Sequence, residues 1–268
     1  MIDFALEVSA RSDAGTTRAD NEDRSGSFLE REDCGVAVVA DGVSSAAGGE
    51  VASEMAVEVV LRAFREESPA LPAGQRLYRA FQQANIEIYD RSIAVPELRG
   101  MCTTLTAAVV DRGELTAVHA GDSRLYLLRG GTITQLTKDH TVAGGRQRMG
   151  LLSKDRARVH PEKSTLTRSV GRELIVSRDR ISQRLRQGDA LLLCSDGLHG
   201  VLEEEELLRT VEGRGAAEAC RALVEAANAR GTPDNLTAAL LRVAGPTPEG
   251  PVGPGQGLGD RLRRLLGG

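Results

Sequence analysis

The sequence lacks the features that would assign it to a membrane or to a nucleic acid. No apolar run among its 268 residues reaches the length of a membrane span. The N-terminus, MIDFALEVSARSD, is acidic and alternating rather than basic and then apolar. The formal net charge is -4, with no strong basic block outside the last few residues, which argues against a long phosphate backbone as partner. We therefore expect a cytoplasmic protein that binds no nucleic acid.

Cysteine and histidine are also scarce and show no metal-binding pattern. The four cysteines stand far apart, no C-x-x-C pair occurs, and three of them lie in or beside apolar runs. This predicts free buried thiols rather than disulfides or a zinc site. The four histidines show no paired ligand spacing either.

What is present fits one catalytic-size domain followed by a tail. The chain is 41% hydrophobic and 27% charged, which is ordinary for a globular protein with a sizeable core. After Val243 the composition shifts to GPTPEGPVGPGQG and then to LGDRLRRLLGG. We predict a domain over residues 1–244, and over residues 245–268 a Pro/Gly-rich linker with a short basic amphipathic tail.

Hydrophobic periodicity predicts an α+β fold. Apolar residues recur at helical spacing in four segments, which are residues 50–68, 76–91, 203–212 and 216–231. Alternating or β-branched runs predict the strands, including an antiparallel meander over residues 102–137. Residues 140–165 are polar and weakly periodic, and predict a loop or flap. The order of elements predicts a sandwich with helices outside two antiparallel sheets.

Acidic residues follow several of the predicted strands. Asp41 and Gly42 end the apolar run CGVAVVADG, and an Asp-Gly pair is by itself a common turn. Further acids close or precede other strands, namely Asp122 in HAGDSR, Asp196 in LLLCSDG, Asp234 in GTPDNLT, and Glu22 and Asp23 in RADNED. Each could be a turn acid. Buried together, however, such carboxylates are costly unless cations neutralise them.

Eight motifs in order carry a family resemblance. RADNED, VADG, CTTL, AGDSR, KDHT, LTRSVG, LLLCSDGL and TPDNLT, over roughly residues 5–243, resemble the metal-dependent type-2C (PPM family) Ser/Thr protein phosphatases, bacterial branch. The resemblance implies a four-layer α/β/β/α sandwich, in which two antiparallel sheets pack face to face between pairs of helices. It also implies a dinuclear Mn²⁺ or Mg²⁺ centre at one end.

The resemblance also assigns site residues. Asp41 would bridge both ions, and the Gly42 carbonyl would ligate one of them. Asp196 and Asp234 would bind the other ion, and Glu22 or Asp23 would contact the centre directly or through water. Arg18 would hold the substrate phosphate. By the same resemblance, Asp122 would hold a third, weaker ion together with Asp196.

These roles imply hydrolysis of phosphoserine and phosphothreonine in proteins, by attack of a metal-bridging water on phosphorus. The substrates would be phosphoproteins, with a bacterial Ser/Thr kinase as the opposing enzyme, and we expect a monomer. Two alternatives are a pseudophosphatase that only binds phosphoproteins and a metal-dependent hydrolase of small phosphoesters. Retention of Asp41, Asp196 and Asp234 argues against the pseudophosphatase.

The sequence departs from the family pattern at three places. Val43-Ser44-Ser45 stands where many members have Met-Gly-Gly or His-Gly-Gly, so no histidine follows the bridging aspartate to protonate a leaving group. Cys102 stands where glycine is frequent before the Thr103-Thr104 pair, which we interpret as a packing difference. His140 in KDHT matches a family motif, and we predict a structural hydrogen-bonding role for it.

Overall fold

The computed structural model describes residues 5–244, so the predicted linker and tail, residues 245–268, lie outside the described part. The strands are β1 (Leu6–Asp13), β2 (Asp23–Arg31), β3 (Cys34–Asp41), β4 (Leu105–Asp111), β5 (Glu114–Ala120), β6 (Arg124–Arg129), β7 (Thr132–Gln135), β8 (Asp179–Arg184), β9 (Ala190–Cys194) and β10 (Leu236–Val243). The helices are α1 (Gly49–Glu66), α2 (Ala73–Ala94), α3 (Val142–Arg148), α4 (Lys154–Arg158), α5 (Asp196–His199), α6 (Glu204–Val211) and α7 (Ala216–Ala229).

The strands form two five-stranded antiparallel sheets. One has the order β1-β10-β9-β6-β7 and the other the order β2-β3-β4-β5-β8. Helices α1 and α2 pack on the outer face of the second sheet, while α6 and α7 cover the outer face of the first. A third apolar layer fills the space between the sheets. The predicted four-layer α+β sandwich is therefore confirmed.

Strand β3 shows why the sequence folds this way. Its residues are buried on both faces, because Val36 and Val38 pack towards α1 and α2 while Ala37 and Val39 pack between the sheets. A strand covered on both sides becomes a continuous apolar run, as CGVAVVA is. Only its last residue, Asp41, is partly exposed. The apolar run therefore ends where the sandwich opens to solvent.

The predicted meander over residues 102–137 is wrong. Strands β4 and β5 pair in one sheet, whereas β6 and β7 belong to the other. The chain crosses between the sheets at Gly121, whose φ of 116° is one that L side chains rarely adopt. A Cβ atom at Gly121 would also lie 2.5 Å from the Cβ of Thr104. Asp122 follows directly and so lies at the crossing point.

The segment predicted as a loop or flap contains two short helices. Thr141 caps α3 by accepting a 3.0 Å hydrogen bond from the Gly144 amide. Ser153 caps α4 through the Arg156 amide. We call residues 140–165 the flap from here on.

Two further expectations can be compared with residues 5–244. The four cysteines are free and buried, as predicted. None of the described helices is long and apolar enough to cross a membrane.

Candidate active site

Five aspartates meet at one end of the sandwich. Asp23 and Asp41 come from one sheet, Asp196 and Asp234 flank strands of the other, and Asp122 lies at the crossing between them. The pKa of Asp41 is raised well above its ordinary value, first by burial and then by the charges of the other four. We call these five residues the aspartate cluster. The structure thus brings together every aspartate singled out in the sequence.

Asp23 is the most deeply buried member, with 1% of its surface exposed. Its carboxylate accepts a 2.6 Å hydrogen bond from the Ser195 hydroxyl. Burial raises the pKa of Asp23 to about 7, with smaller contributions from the charges of Asp196 and Asp234, although hydrogen bonds from Ser195 and Thr237 act in the opposite direction. Asp23 therefore resembles a supporting group more than an exposed ligand.

Asp41 is held in place through its backbone. Its amide donates to the Thr104 hydroxyl at 3.0 Å, and its carbonyl accepts from the Thr103 hydroxyl and the Thr104 amide, each at 2.8 Å. Both threonines are buried. These hydrogen bonds give the two threonines of the CTTL motif a role in holding Asp41.

Gly42 has a steric reason for being glycine. A Cβ atom there would lie 2.3 Å from the Gly49 carbonyl oxygen, at the start of α1, and 2.9 Å from the Glu22 carbonyl oxygen. The Gly42 amide donates to that Glu22 oxygen at 3.1 Å. The close packing of three backbone segments therefore requires a residue without a side chain, in addition to any role of the Gly42 carbonyl as a ligand.

Asp196 and Asp122 lie beside the flap. Asp196 opens α5, and its pKa is raised by burial and then by the charge of Asp234. Asp122 is 7% exposed, and its pKa is raised by burial and then by the charge of Asp196. The buried His199 ring contacts the Asp122 carbonyl at 3.1 Å through Nε2. This contact places Asp122 against α5.

The Asp122 loop is also held by His140, in agreement with its predicted structural role. The Gly121 amide donates to His140 Nδ1 at 3.2 Å, and His140 Nε2 lies 3.2 Å from Asp179 Oδ2 and 3.0 Å from Arg168 Nη1. The His140 ring stacks on His119, with ring centres 4.7 Å apart. This pair could not be predicted from the sequence, because the two histidines belong to different motifs.

Glu22 and Arg18 lie at the rim of the cluster. The Glu22 carboxylate accepts a hydrogen bond from the Ser44 hydroxyl, one of the residues that depart from the family pattern. Arg18 is exposed and bonds Asp234 at 3.0 Å through Nη2. The Asn235 side chain links the Asp234 loop to the RADNED segment. Its Oδ1 accepts from the Glu22 amide at 2.8 Å, and its Nδ2 donates to the Asp20 carbonyl at 2.8 Å.

The donor set suits hard divalent cations. Within residues 5–244, no group of three or more His, Cys, Asp or Glu side chains is arranged to hold a metal ion by itself. The cluster nevertheless gathers carboxylates whose pKa values are raised by burial and then by their mutual repulsion, together with a backbone carbonyl at Gly42. Oxygen donors favour Mg²⁺ and Mn²⁺ over zinc. Bound cations would remove the repulsion among the cluster carboxylates. Arg18 offsets this repulsion only at Asp234, which it contacts.

Comparison with known proteins points to one family. A family model described as "Protein phosphatase 2C" matches residues 16–242. The "Serine/threonine phosphatase stp" of Listeria monocytogenes is 36% identical over 240 residues, which are 88% of this chain and 95% of that protein.

Solved structures agree with the sequence comparison. The Mycobacterium tuberculosis serine/threonine phosphatase PstP/Ppp superimposes with a TM-score of 0.80 at 34% identity, covering 90% of this chain and 99% of that one. The catalytic domain of PstP "in complex with 2 Manganese ions" gives a TM-score of 0.77 at 33% identity, covering 90% of this chain and 99% of that one.

Proposed function

The chain belongs to the protein phosphatase 2C family, and on that premise we propose that it removes phosphate from phosphoserine and phosphothreonine in proteins, using two Mn²⁺ or Mg²⁺ ions. The observation that carries the proposal is the aspartate cluster, with the exposed Arg18 at its rim. The listerial and mycobacterial relatives are named serine/threonine phosphatases. We propose further that the substrates include targets of a bacterial Ser/Thr kinase.

We assign ligand roles by matching the cluster to the family. Asp41 and the Gly42 carbonyl would hold one ion, and Asp41, Asp196 and Asp234 the other. Asp23 and Glu22 would support them, and Asp122 with Asp196 would hold a third, weaker ion. When bound, such ions lower the pKa of water and so supply a nucleophile at neutral pH. The fixed backbone of Asp41 supports a rigid placement of its carboxylate.

Arg18 would orient the substrate. Its guanidinium already bonds an oxyanion, the Asp234 carboxylate, and a phosphate monoester offers the same kind of acceptor. Since Arg18 is exposed, an incoming phosphate can reach it. Binding there would hold phosphorus close to the cluster, in a fixed orientation for in-line attack.

The leaving alkoxide needs a proton, and the buried histidines do not provide one. Burial lowers the pKa of His119 to about 4 and that of His199 to about 3, so that both rings are neutral at pH 7. Position 43 is valine and offers no acid. We therefore propose that water protonates the leaving group.

One experiment tests the function. Hydrolysis of a phosphothreonine peptide is measured with Mn²⁺, with Mg²⁺ and with excess chelator, beside the Asp41→Asn variant. Turnover that needs a metal and Asp41 is the expected result. Equal turnover in chelator would overturn the metal-dependent mechanism. Binding of the peptide without turnover would support a pseudophosphatase, and hydrolysis of p-nitrophenyl phosphate alone would support a small-phosphoester hydrolase.

A further inference from the structure

All the lysines of this chain line one cavity. The sequence contains only three, Lys138, Lys154 and Lys163, whereas every other basic residue is arginine apart from the four histidines. The three lie on different segments of the chain, yet all border the same cavity of about 320 Å³. Each is an exposed residue, so the cavity can be reached from solvent. Such clustering marks a site where mobile positive charge is concentrated.

The cavity leads from the aspartate cluster to the flap. Asp122 and Asp196 of the cluster border it, and so do residues of α3 and α4. The ion pair of Arg124 with Asp139, 2.7 Å apart, lies in the same lining. A ligand in this cavity would therefore be beside the proposed metal centre without occupying the place of Arg18, which contacts the cluster at Asp234.

Three of the cavity's positive charges have no carboxylate partner within residues 5–244. Lys154 pairs with Glu204 at 2.8 Å and Arg158 with Glu203 at 2.5 Å, which joins α4 to the start of α6. By contrast, none of the ion pairs of the described residues involves Lys138, Lys163 or Arg148. Arg148 donates only to the Asp139 carbonyl, at 2.7 Å.

We propose that this cavity binds a second anionic group of the phosphoprotein substrate, a phosphate or carboxylate carried by a residue near the one being dephosphorylated. This inference rests on the proposed function, because metal ions would neutralise Asp122 and Asp196 and leave the cavity positive. Lysines suit such a subsite, since a point charge on a flexible stem can follow anions at slightly different positions. The enzyme would then prefer acidic or multiply phosphorylated segments.

The first test compares three phosphothreonine peptides that differ only in the flanking residues, which are glutamate, glutamine or lysine. Two or three exposed charge pairs of a few tenths of a kcal/mol each predict a kcat/KM about three- to tenfold higher for the glutamate peptide than for the glutamine peptide. In a Lys138→Gln/Lys163→Gln variant, which retains Arg148, this ratio should fall to about two or below. The control is Arg221→Gln, an exposed basic residue on α7, which should keep the ratio.

The second test needs no turnover. Reductive methylation with ¹³C-formaldehyde labels the three lysines and the terminal amine, giving few resonances to follow in the Mg²⁺-bound protein. Titration with an unphosphorylated glutamate-rich peptide should shift the lysine signals, and the glutamine-rich peptide should not. Shifts of equal size with both peptides, or none with either, would overturn the subsite.

The two tests separate the proposals. If all peptides are hydrolysed at one rate and no lysine signal moves, the enzyme is a phosphatase without this subsite. If no peptide is hydrolysed but the glutamate-rich peptide shifts the lysine signals, the proposed activity fails and anion binding stands. Because the charge of Lys163 partly opposes the rise that burial causes in the pKa of Asp196, the metal dependence of the double variant is measured on the glutamine peptide.

Discussion

Asp23 and Asp41 lie directly opposite each other in the β2–β3 pairing. Residues in register on antiparallel strands place their side chains on the same face, so two carboxylates share one end of the sheet. Like charges in this position destabilise a sheet. A cation bound beside the two carboxylates would offset this repulsion, which supports the proposed cation-binding role.

Substitution of a cluster aspartate should abolish activity without lowering the stability of the metal-free protein. We predict that Asp41→Asn, Asp196→Asn and Asp234→Asn each abolish phosphopeptide turnover, while the metal-free proteins unfold at the same temperature as the parent or higher, since each change removes repulsion. Asp20→Asn, at an exposed acid of the RADNED segment, is the control and should stay active. Near-normal turnover in any of the three would show that its ligand role is wrong.

Asp122 should matter for turnover and not for assembly of the two-ion centre. An ion held by few protein groups binds weakly and stays largely hydrated. We predict that Asp122→Ala retains two tightly bound Mn²⁺ ions by calorimetry, loses most phosphopeptide turnover, and needs a different metal concentration for half-maximal rate. Asp90→Ala, at an exposed site on α2, is the control. Loss of both tight ions would place Asp122 in the two-ion centre instead.

Arg18 should act on substrate binding. Arg18→Ala is predicted to raise KM for a phosphopeptide about tenfold, a loss of roughly 1.4 kcal/mol, with a much smaller change in kcat. Arg18→Lys keeps the charge but cannot donate two parallel hydrogen bonds to a phosphate. Its KM should therefore lie between those of the parent and of Arg18→Ala. Arg11→Ala, at an exposed arginine on β1, should match the parent. A variant that lost metal affinity at unchanged KM would refute this role.

Thr104 is the clearest test of the supporting groups. Thr104→Val keeps the shape but leaves the Asp41 amide without its acceptor, which should cost about 1–3 kcal/mol of unfolding free energy. Turnover should fall as well, because the same hydroxyl fixes Asp41. Thr104→Ser retains the hydroxyl and should recover most of the activity. Urea unfolding and phosphopeptide kinetics on the three proteins measure both effects, and equal activity of the valine and serine variants would remove Thr104 from the site.

The buried His119 predicts an acid limit to stability. Its pKa falls from 6.5 to about 4 on folding, so the folded state holds the ring neutral while the unfolded state takes up a proton. The contribution of the neutral ring to the free energy of unfolding is fully present above pH 6.5. As the pH falls from 6.5 to 4, the free energy of unfolding decreases by about 3 kcal/mol.

A His119→Gln variant tests this contribution. It should be less stable at pH 7 but should lose less stability than the parent between pH 6.5 and 4, by urea unfolding of the metal-free proteins. His160→Gln, in the flap, is the control and should keep the parent's slope. An unchanged slope in His119→Gln would assign the acid sensitivity to other groups.

Sequence patterns predicted the acidic residues better than their supports. Asp41, Asp122 and Asp196 could be found because each follows an apolar strand, and a strand end is visible as a change of hydrophobicity. Thr104, Ser195 and Asn235 act through side-chain hydrogen bonds to distant segments, and such bonds leave no periodic signal.

The main error in the predicted fold was the assignment of strands to sheets. Strands β5 and β6 are adjacent in sequence, and local patterning cannot state which sheet each will join. Gly121 marks the place where the chain changes sheet. Its backbone angle and its close contact with Thr104 direct the chain across the sandwich. In the flap, Thr141 and Ser153 were recognisable capping residues, but helices of seven and five residues are too short to show a period.

The pairing of β1 with β10 has a consequence for synthesis of the chain. The first strand of the described chain finds its partner only in the last one, so a growing polypeptide cannot complete this sheet until about residue 243 has left the ribosome. Arg18 and Asp234 meet only then. Contacts that span most of the chain form late. The enzyme should therefore have no activity towards cellular phosphoproteins until β10 has left the ribosome and paired with β1.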